Sequence, residues 1–213
     1  MKNNAVIFGD SYSTFDGYIP HGYDSYYPVN WEPGIGVTEV PQTWWQLAAG
    51  EADLNILLND SWSGSTIGYT AYDGYDCSRT NSFIYRLRRL IENGFFAENK
   101  VDKVFVFGGT NDSWCGAELG NEQYEDHTES DLYYVLPAVC RFLGLLKQTL
   151  PDADLYCMIN TDLKPEITSC MEHACEKYGI TAVNFGQIDK MYGHPTIQGM
   201  KDIANGLLKA MNG

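Results

Sequence analysis

The chain predicts an α/β fold, a mainly parallel sheet with helices on both faces, and three observations carry that prediction. Short β-rich apolar runs alternate with longer amphipathic stretches from one end to the other, the pattern of repeated strand, helix, strand units. The 213 residues suit one domain with a single large core. A composition of 44% hydrophobic and 20% charged residues excludes a mainly disordered or collagen-like chain. The expectation is one domain over residues 1–213 with a five-stranded sheet.

In chain order, the first run is Ala5 to Phe8, followed by a connection too long for a simple strand-to-helix loop. That connection, residues 12–40, carries Tyr12, Phe15, Tyr18, Tyr23, Tyr26, Tyr27 and Trp31, and so many aromatics argue against disorder. It reads as a folded aromatic flap over a site. A helix is expected over Pro41 to Ala52, a strand over Asn55 to Leu58, a helix over Ser82 to Asn93 and a strand over Val104 to Phe107. The stretch Ser113 to Ser130 is rich in Glu and Asp and reads as a solvated excursion. Helix Leu132 to Leu150, strand Leu155 to Ile159, helix Pro165 to Tyr178, strand Thr181 to Val183 and helix Thr196 to Met211 complete the series. Right-handed crossovers leave few topologies, and ligands of such sheets bind at the carboxyl ends of the strands.

The balance of 14 basic against 28 acidic residues, a formal charge of −14, speaks against a nucleic-acid partner. Arg86, Arg88 and Arg89 read as the solvated edge of a helix. No apolar run of about 18 residues is present to span a bilayer, so no membrane partner is expected. The N-terminus lacks the apolar segment and cleavage site of a secretory leader, and the six cysteines do not form a small-domain disulfide framework. A reducing, cytoplasmic setting is the expectation.

Polar clusters follow the strands: Gly9-Asp10-Ser11, then Asn59-Asp60-Ser61-Trp62-Ser63-Gly64, then Gly108-Gly109-Thr110-Asn111-Asp112, with Gly193-His194-Pro195 opening the last helix. Together they contain the parts acyl transfer needs. A serine hydroxyl becomes a nucleophile when a neighbouring imidazole takes its proton, and the tetrahedral oxyanion then needs hydrogen-bond donors. Motif by motif and in order, the chain resembles the SGNH subgroup of the GDSL-type esterases and lipases. The matching blocks are Gly9-Asp10-Ser11, Gly64, Gly109-Thr110-Asn111-Asp112 and His194-Pro195. The resemblance implies a flavodoxin-like three-layer α/β/α sandwich and hydrolysis of an ester, with an acetyl or other short acyl group leaving a carbohydrate or small metabolite. It makes Ser11 the nucleophile, His194 the base, and Ser11 N–H, Gly64 and Asn111 the oxyanion hole, with no cofactor or metal.

Where the family carries an Asp three residues before the histidine, this chain has Met191. Either Asp189 orients the imidazole across a folded-back Lys190–Gly193 loop, or a backbone carbonyl does and the site is a Ser-His dyad. Asp10 reads as structural, holding its loop through backbone N–H groups. Trp44, Trp45 and Trp62 read first as core; Trp62 is also kept with Tyr12 and Trp114 as a substrate-binding candidate, since aromatic faces suit sugar rings or acyl chains. Cys170, His173 and Cys175 do not share a helical face and make no metal site. Two other classes remain open: a non-catalytic carbohydrate-binding module on the same fold, and a flavin-binding protein with Ser11, Ser13 and Thr14 around a phosphate.

Overall fold

A computed structural model describes residues 3–29 and 34–213. Strands β1 (Asn3–Gly9), β2 (Leu54–Ser61), β3 (Lys103–Gly108), β4 (Asp154–Ile159) and β5 (Thr181–Asn184) form one sheet in the order β2-β1-β3-β4-β5. Every neighbouring pair is parallel. Side chains alternate across it as strand geometry demands. Ala5, Ile7, Phe105, Phe107, Tyr156 and Met158 face helices α1 (Trp44–Glu51) and α7 (Ile197–Asn212). Val6, Phe8, Val104, Val106, Leu155 and Cys157 face α2 (Phe83–Glu92), α5 (Val135–Thr149) and α6 (Pro165–Tyr178). The result is the three-layer α/β/α sandwich with flavodoxin-like strand order, whose connections diverge between β1 and β3.

The five strands and five long helices fall where the periodicity predicts them, and caps fix several helix starts. Thr43, Ser82 and Thr196 accept from the backbone N–H of Gln46, Tyr85 and Gly199, and α6 begins on Pro165 and ends at left-handed Gly179. Four short elements carry too few residues to show a period. They are helices α3 (Phe95–Glu98) and α4 (Thr110–Trp114), and the antiparallel pair β6 (Lys190–Met191) and β7 (His194–Pro195). The acidic stretch after α4 is tied down, with Glu129 paired to Arg88 at 2.9 Å and Glu122 to His173 at 2.9 Å. All six cysteines are free thiols.

Two expectations change. The segment 12–40 is less a flap than part of the α1/α7 layer: Tyr12, Phe15, Tyr27, Val29, Ile35 and Val37 are buried there. Only two long helices cover that face, and these aromatics complete its core. Trp31 lies outside the described residues. Arg86 is likewise no solvated helix edge, being 2% exposed. Its guanidinium pairs with Asp60 at 3.1 Å and donates to Gly9 O at 3.2 Å, Ser65 Oγ at 3.2 Å and Asn81 O at 3.0 Å, while lying over the Phe83 ring. The five donors of arginine suit such a multi-partner junction. Removing one member of a buried pair strands the other charge, so Arg86→Ala should lose roughly 3 to 5 kcal/mol of stability in denaturant titration.

Candidate active site

The loops after β1, β2 and β3 meet because Gly9 lies in register with Ser61 on one side and Phe107 on the other. After β1 the chain turns at once into a short 3-10 helix, Ser11–Ser13, capped by Asp10 Oδ1, which accepts from Tyr12 N at 3.0 Å. Position 9 must be glycine for this turn, since a Cβ there would stand 2.4 Å from Ser61 Oγ and 2.5 Å from Ser13 Cβ. The turn leaves Ser11 Oγ 3.0 Å from Nε2 of His194, 183 residues later in the chain.

His194 reaches the serine from the β6/β7 hairpin. Its two-residue turn, Tyr192-Gly193, has positive φ at both positions (51° and 78°), as tight primed hairpin turns require. Side-chain contacts to other segments anchor the hairpin. Tyr12 OH donates to Gly193 O, Tyr27 OH donates to Pro195 O at 2.8 Å, and Lys190 Nζ donates to Asn160 Oδ1 at 3.0 Å and Thr161 Oγ1 at 2.6 Å. The Tyr26 ring stacks on the imidazole at 3.6 Å between centroids, 7° from parallel, and Nδ1 lies 3.3 Å from Tyr192 O.

Asp189 is not brought to the imidazole. Lys190 pairs with Pro195 and Met191 with His194, so Asp189 stands opposite Thr196, two residues past the histidine and about 7 Å further along an extended strand. There its carboxylate accepts from Thr196 Oγ1 and its carbonyl from Thr196 N at 3.1 Å, while its N–H donates to Asp202 Oδ2 at 3.0 Å. Asp189 therefore closes the hairpin base.

Candidate donors stand on the loops that follow β1, β2 and β3. Among the described residues, the N–H groups of Ser11 and Gly64 donate to no protein acceptor; Gly64 has a φ of 77°. Asn111 lies in the first turn of α4, behind left-handed Gly109. Its amide is held at both ends: Nδ2 donates to Ser65 O at 2.9 Å and Oδ1 accepts from Tyr72 OH at 2.9 Å. Its second Nδ2 hydrogen has no acceptor among the described residues. Asp112 next to it accepts from Ile67 N at 3.0 Å and Gly68 N at 3.3 Å, tying the second and third loops together.

The substrate candidates divide. Tyr12 is buried and acts on the hairpin instead of on solvent, because its ring is needed in the α1/α7 core against Phe107. Trp114 is 46% exposed with its ring 6.5 Å from that of His194. Trp62 is half-buried, stacked on Tyr23 at 4.0 Å, with its indole N–H on Asp24 at 3.0 Å. Tyr26, Tyr72 and Lys190 were not singled out for the site by sequence. Lys190 precedes the histidine block closely enough to be suspected, but Tyr26 and Tyr72 sit in irregular segments with no periodic or motif signal.

Among known proteins, a family model for GDSL-like lipase/acylhydrolase matches residues 3–211. A provisionally assigned GDSL-like lipase from Bacteroides uniformis is 38% identical, covers 99% of this chain and 96% of its own, and superposes with a TM-score of 0.90. A similarly assigned protein from Bacteroides ovatus is 36% identical over 100% and 99% of the two chains, with a TM-score of 0.90. An acetyl xylan esterase from the rumen bacterium Butyrivibrio proteoclasticus shares the fold at 17% identity and a TM-score of 0.62, over 99% of this chain and 63% of its own. Functionally curated proteins include no sequence match. Fold and family place the protein among ester-bond hydrolases on the SGNH-type sandwich. The chain belongs to the GDSL-like lipase/acylhydrolase family. Among the described residues no helix is long and apolar enough to cross a membrane.

Two predictions follow from these placements. Asp189→Asn keeps an acceptor for Thr196, so its esterase turnover should stay within a few fold of wild type; a loss near the 10⁴ of a missing triad acid would return Asp189 to the mechanism. Burial raises the Asp10 carboxyl to about 7 and Asp112 to about 6, against the opposing backbone N–H bonds each accepts. Raised carboxyl values mean that the folded state binds more protons than the unfolded one, so this stabilisation is complete below pH 3.8 and is lost as pH climbs through 6 to 7. From these two groups the thermal midpoint should fall as pH rises from about 4 to about 7 and level off above that, and Asp10→Asn should reduce the fall.

Proposed function

We propose that this hydrolase is a serine esterase that removes an acetyl or other short acyl group from a carbohydrate or small metabolite. The observation that carries the reading is the 3.0 Å contact between Ser11 Oγ and His194 Nε2. In the tautomer that donates Nδ1–H to the Tyr192 carbonyl, 3.3 Å away, Nε2 is the basic nitrogen and faces the serine. Ser11 Oγ attacks the ester carbonyl as Nε2 takes its proton. Ser11 N–H, Gly64 N–H and the Asn111 amide then stabilise the tetrahedral oxyanion. The imidazolium protonates the departing alcohol, and the neutral ring next draws a proton from water to release the acid. The parallel face of Tyr26 holds the ring in this orientation throughout.

A small acyl group is favoured by the near-burial of Ser11, 6% exposed. The exposed Trp114 beside His194 offers an apolar face to the other half of the ester. The shared fold of the acetyl xylan esterase agrees with a saccharide ester.

Chromogenic acetate hydrolysis tests the assignment. Ser11→Ala should abolish turnover, whereas equal activity in both proteins removes Ser11 as nucleophile. Asn111→Ala should lower kcat about 10² to 10³-fold, or roughly 3 to 4 kcal/mol of barrier. Tyr72→Phe should lower kcat in the same sense by less, with KM nearly unchanged, and should add little in the Asn111→Ala background, because Tyr72 acts through that amide.

A further inference from the structure

Trp114 offers the alcohol half of the ester only an apolar face, and the distribution of charge indicates where its polar groups would go. In a chain of net charge −14 there are five arginines, and four of them, Arg79, Arg86, Arg88 and Arg89, gather along one side of the molecule beside β2 and α2. Arg79, Arg86 and Arg89 line a single groove of ≈ 530 Å³ together with Tyr23, Trp62 and Tyr85, and no lysine lines it among the described residues.

The three charges are not equally engaged. Arg86 is buried on Asp60. Arg89 meets Glu92 at 3.4 Å in an exposed pair of the kind that contributes little. Arg79 is exposed and makes no ion pair among the described residues. Two guanidinium groups are thus available in an otherwise acidic protein, and their planar forks match a carboxylate better than lysine would. The aromatic wall is fixed as well: Trp62 is held by its stack on Tyr23 and by Asp24.

The groove adjoins the catalytic loops. Trp62 stands two residues before Gly64. Trp62 N and Arg86 Nη2 both donate to Gly9 O, at 3.1 and 3.2 Å, two residues before Ser11.

We propose that this groove binds the alcohol half of the substrate and that this half is an acidic saccharide, with a sugar ring against Trp62 and a uronic-acid carboxylate on Arg79 and Arg89. A neutral glycan would leave Arg79 with only the nearby charge of Asp76 and Arg89 with only its exposed pair to Glu92, and a lipid chain would bring the wrong chemistry to both. The groove's place beside the reaction rests on the serine-esterase reading, but binding to it does not.

Calorimetric titration at low salt with unacylated oligogalacturonate, beside a neutral xylo-oligosaccharide of equal length, separates the two. The acidic oligomer should bind at least ten-fold more tightly than the neutral one. Its affinity should drop at least ten-fold in Arg79→Gln, recover in part in Arg79→Lys, and weaken in about 1 M salt, where screening reaches ~3 Å. On acetylated substrates, the ratio of kcat/KM for the acidic oligomer to that for a chromogenic acetate should fall at least ten-fold in Arg79→Gln and in Arg89→Gln. Equal binding of acidic and neutral oligomers, no effect of Arg79→Gln, or displacement by an equal concentration of inorganic phosphate would overturn the proposal. Binding as expected in a protein that hydrolyses no acetate ester would sink the esterase reading and leave the groove standing.

Discussion

The buried contact between Arg86 and Asp60 is the junction on which the catalytic end of the sheet depends. A charged pair with side chains only 1% and 3% exposed is expensive to desolvate, and it persists because every direction of the guanidinium finds an acceptor. Those acceptors belong to the end of β1, the end of β2, the loop beyond β2 and the start of α2. One side chain therefore sets how the Ser11 turn and the Gly64 loop lie against each other, before any catalytic residue is considered. Asp112 does the same between the Gly64 loop and α4, using a carboxylate to collect backbone N–H groups.

The histidine is held by a different device. A two-residue hairpin has little core of its own, and its position comes from groups that reach in from elsewhere in the chain. Tyr12 and Tyr27 hold the carbonyls of Gly193 and Pro195, and Lys190 grips the end of β4. Burial raises the Tyr12 phenol well above its ordinary value and the Tyr23 phenol to about 12, so these tyrosines stay protonated. For Tyr12, that keeps a donor on the Gly193 carbonyl throughout the range in which an imidazole can act as base. The aromatic richness of segment 12–40 is accounted for mainly by this bracing and by the α1/α7 core.

The site was legible where a residue type and its place after a strand define the chemistry. Ser11, Gly64, Asn111 and His194 stand in short polar blocks at strand ends or at a helix start, and the structure brings Ser11 and His194 into contact. Side chains whose role depends on direction were not legible. Asp189 has the right charge five residues from the histidine, yet hairpin register turns it to Thr196. Arg86 shares an amphipathic helix with Arg88 and Arg89, and nothing in that spacing says that one of the three points inward to a carboxylate after β2.

The sequence by itself determined the α/β class, the positions of the five sheet strands and five long helices and the chemical inventory of the site, because these rest on local periodicity, capping and residue type. Only the tertiary structure decided which groups face one another. Contacts such as Tyr26 on His194, Tyr72 on Asn111 and Arg86 on Asp60 join residues tens to more than a hundred positions apart. Their geometry is set by the packing of whole elements, which no window along the chain contains.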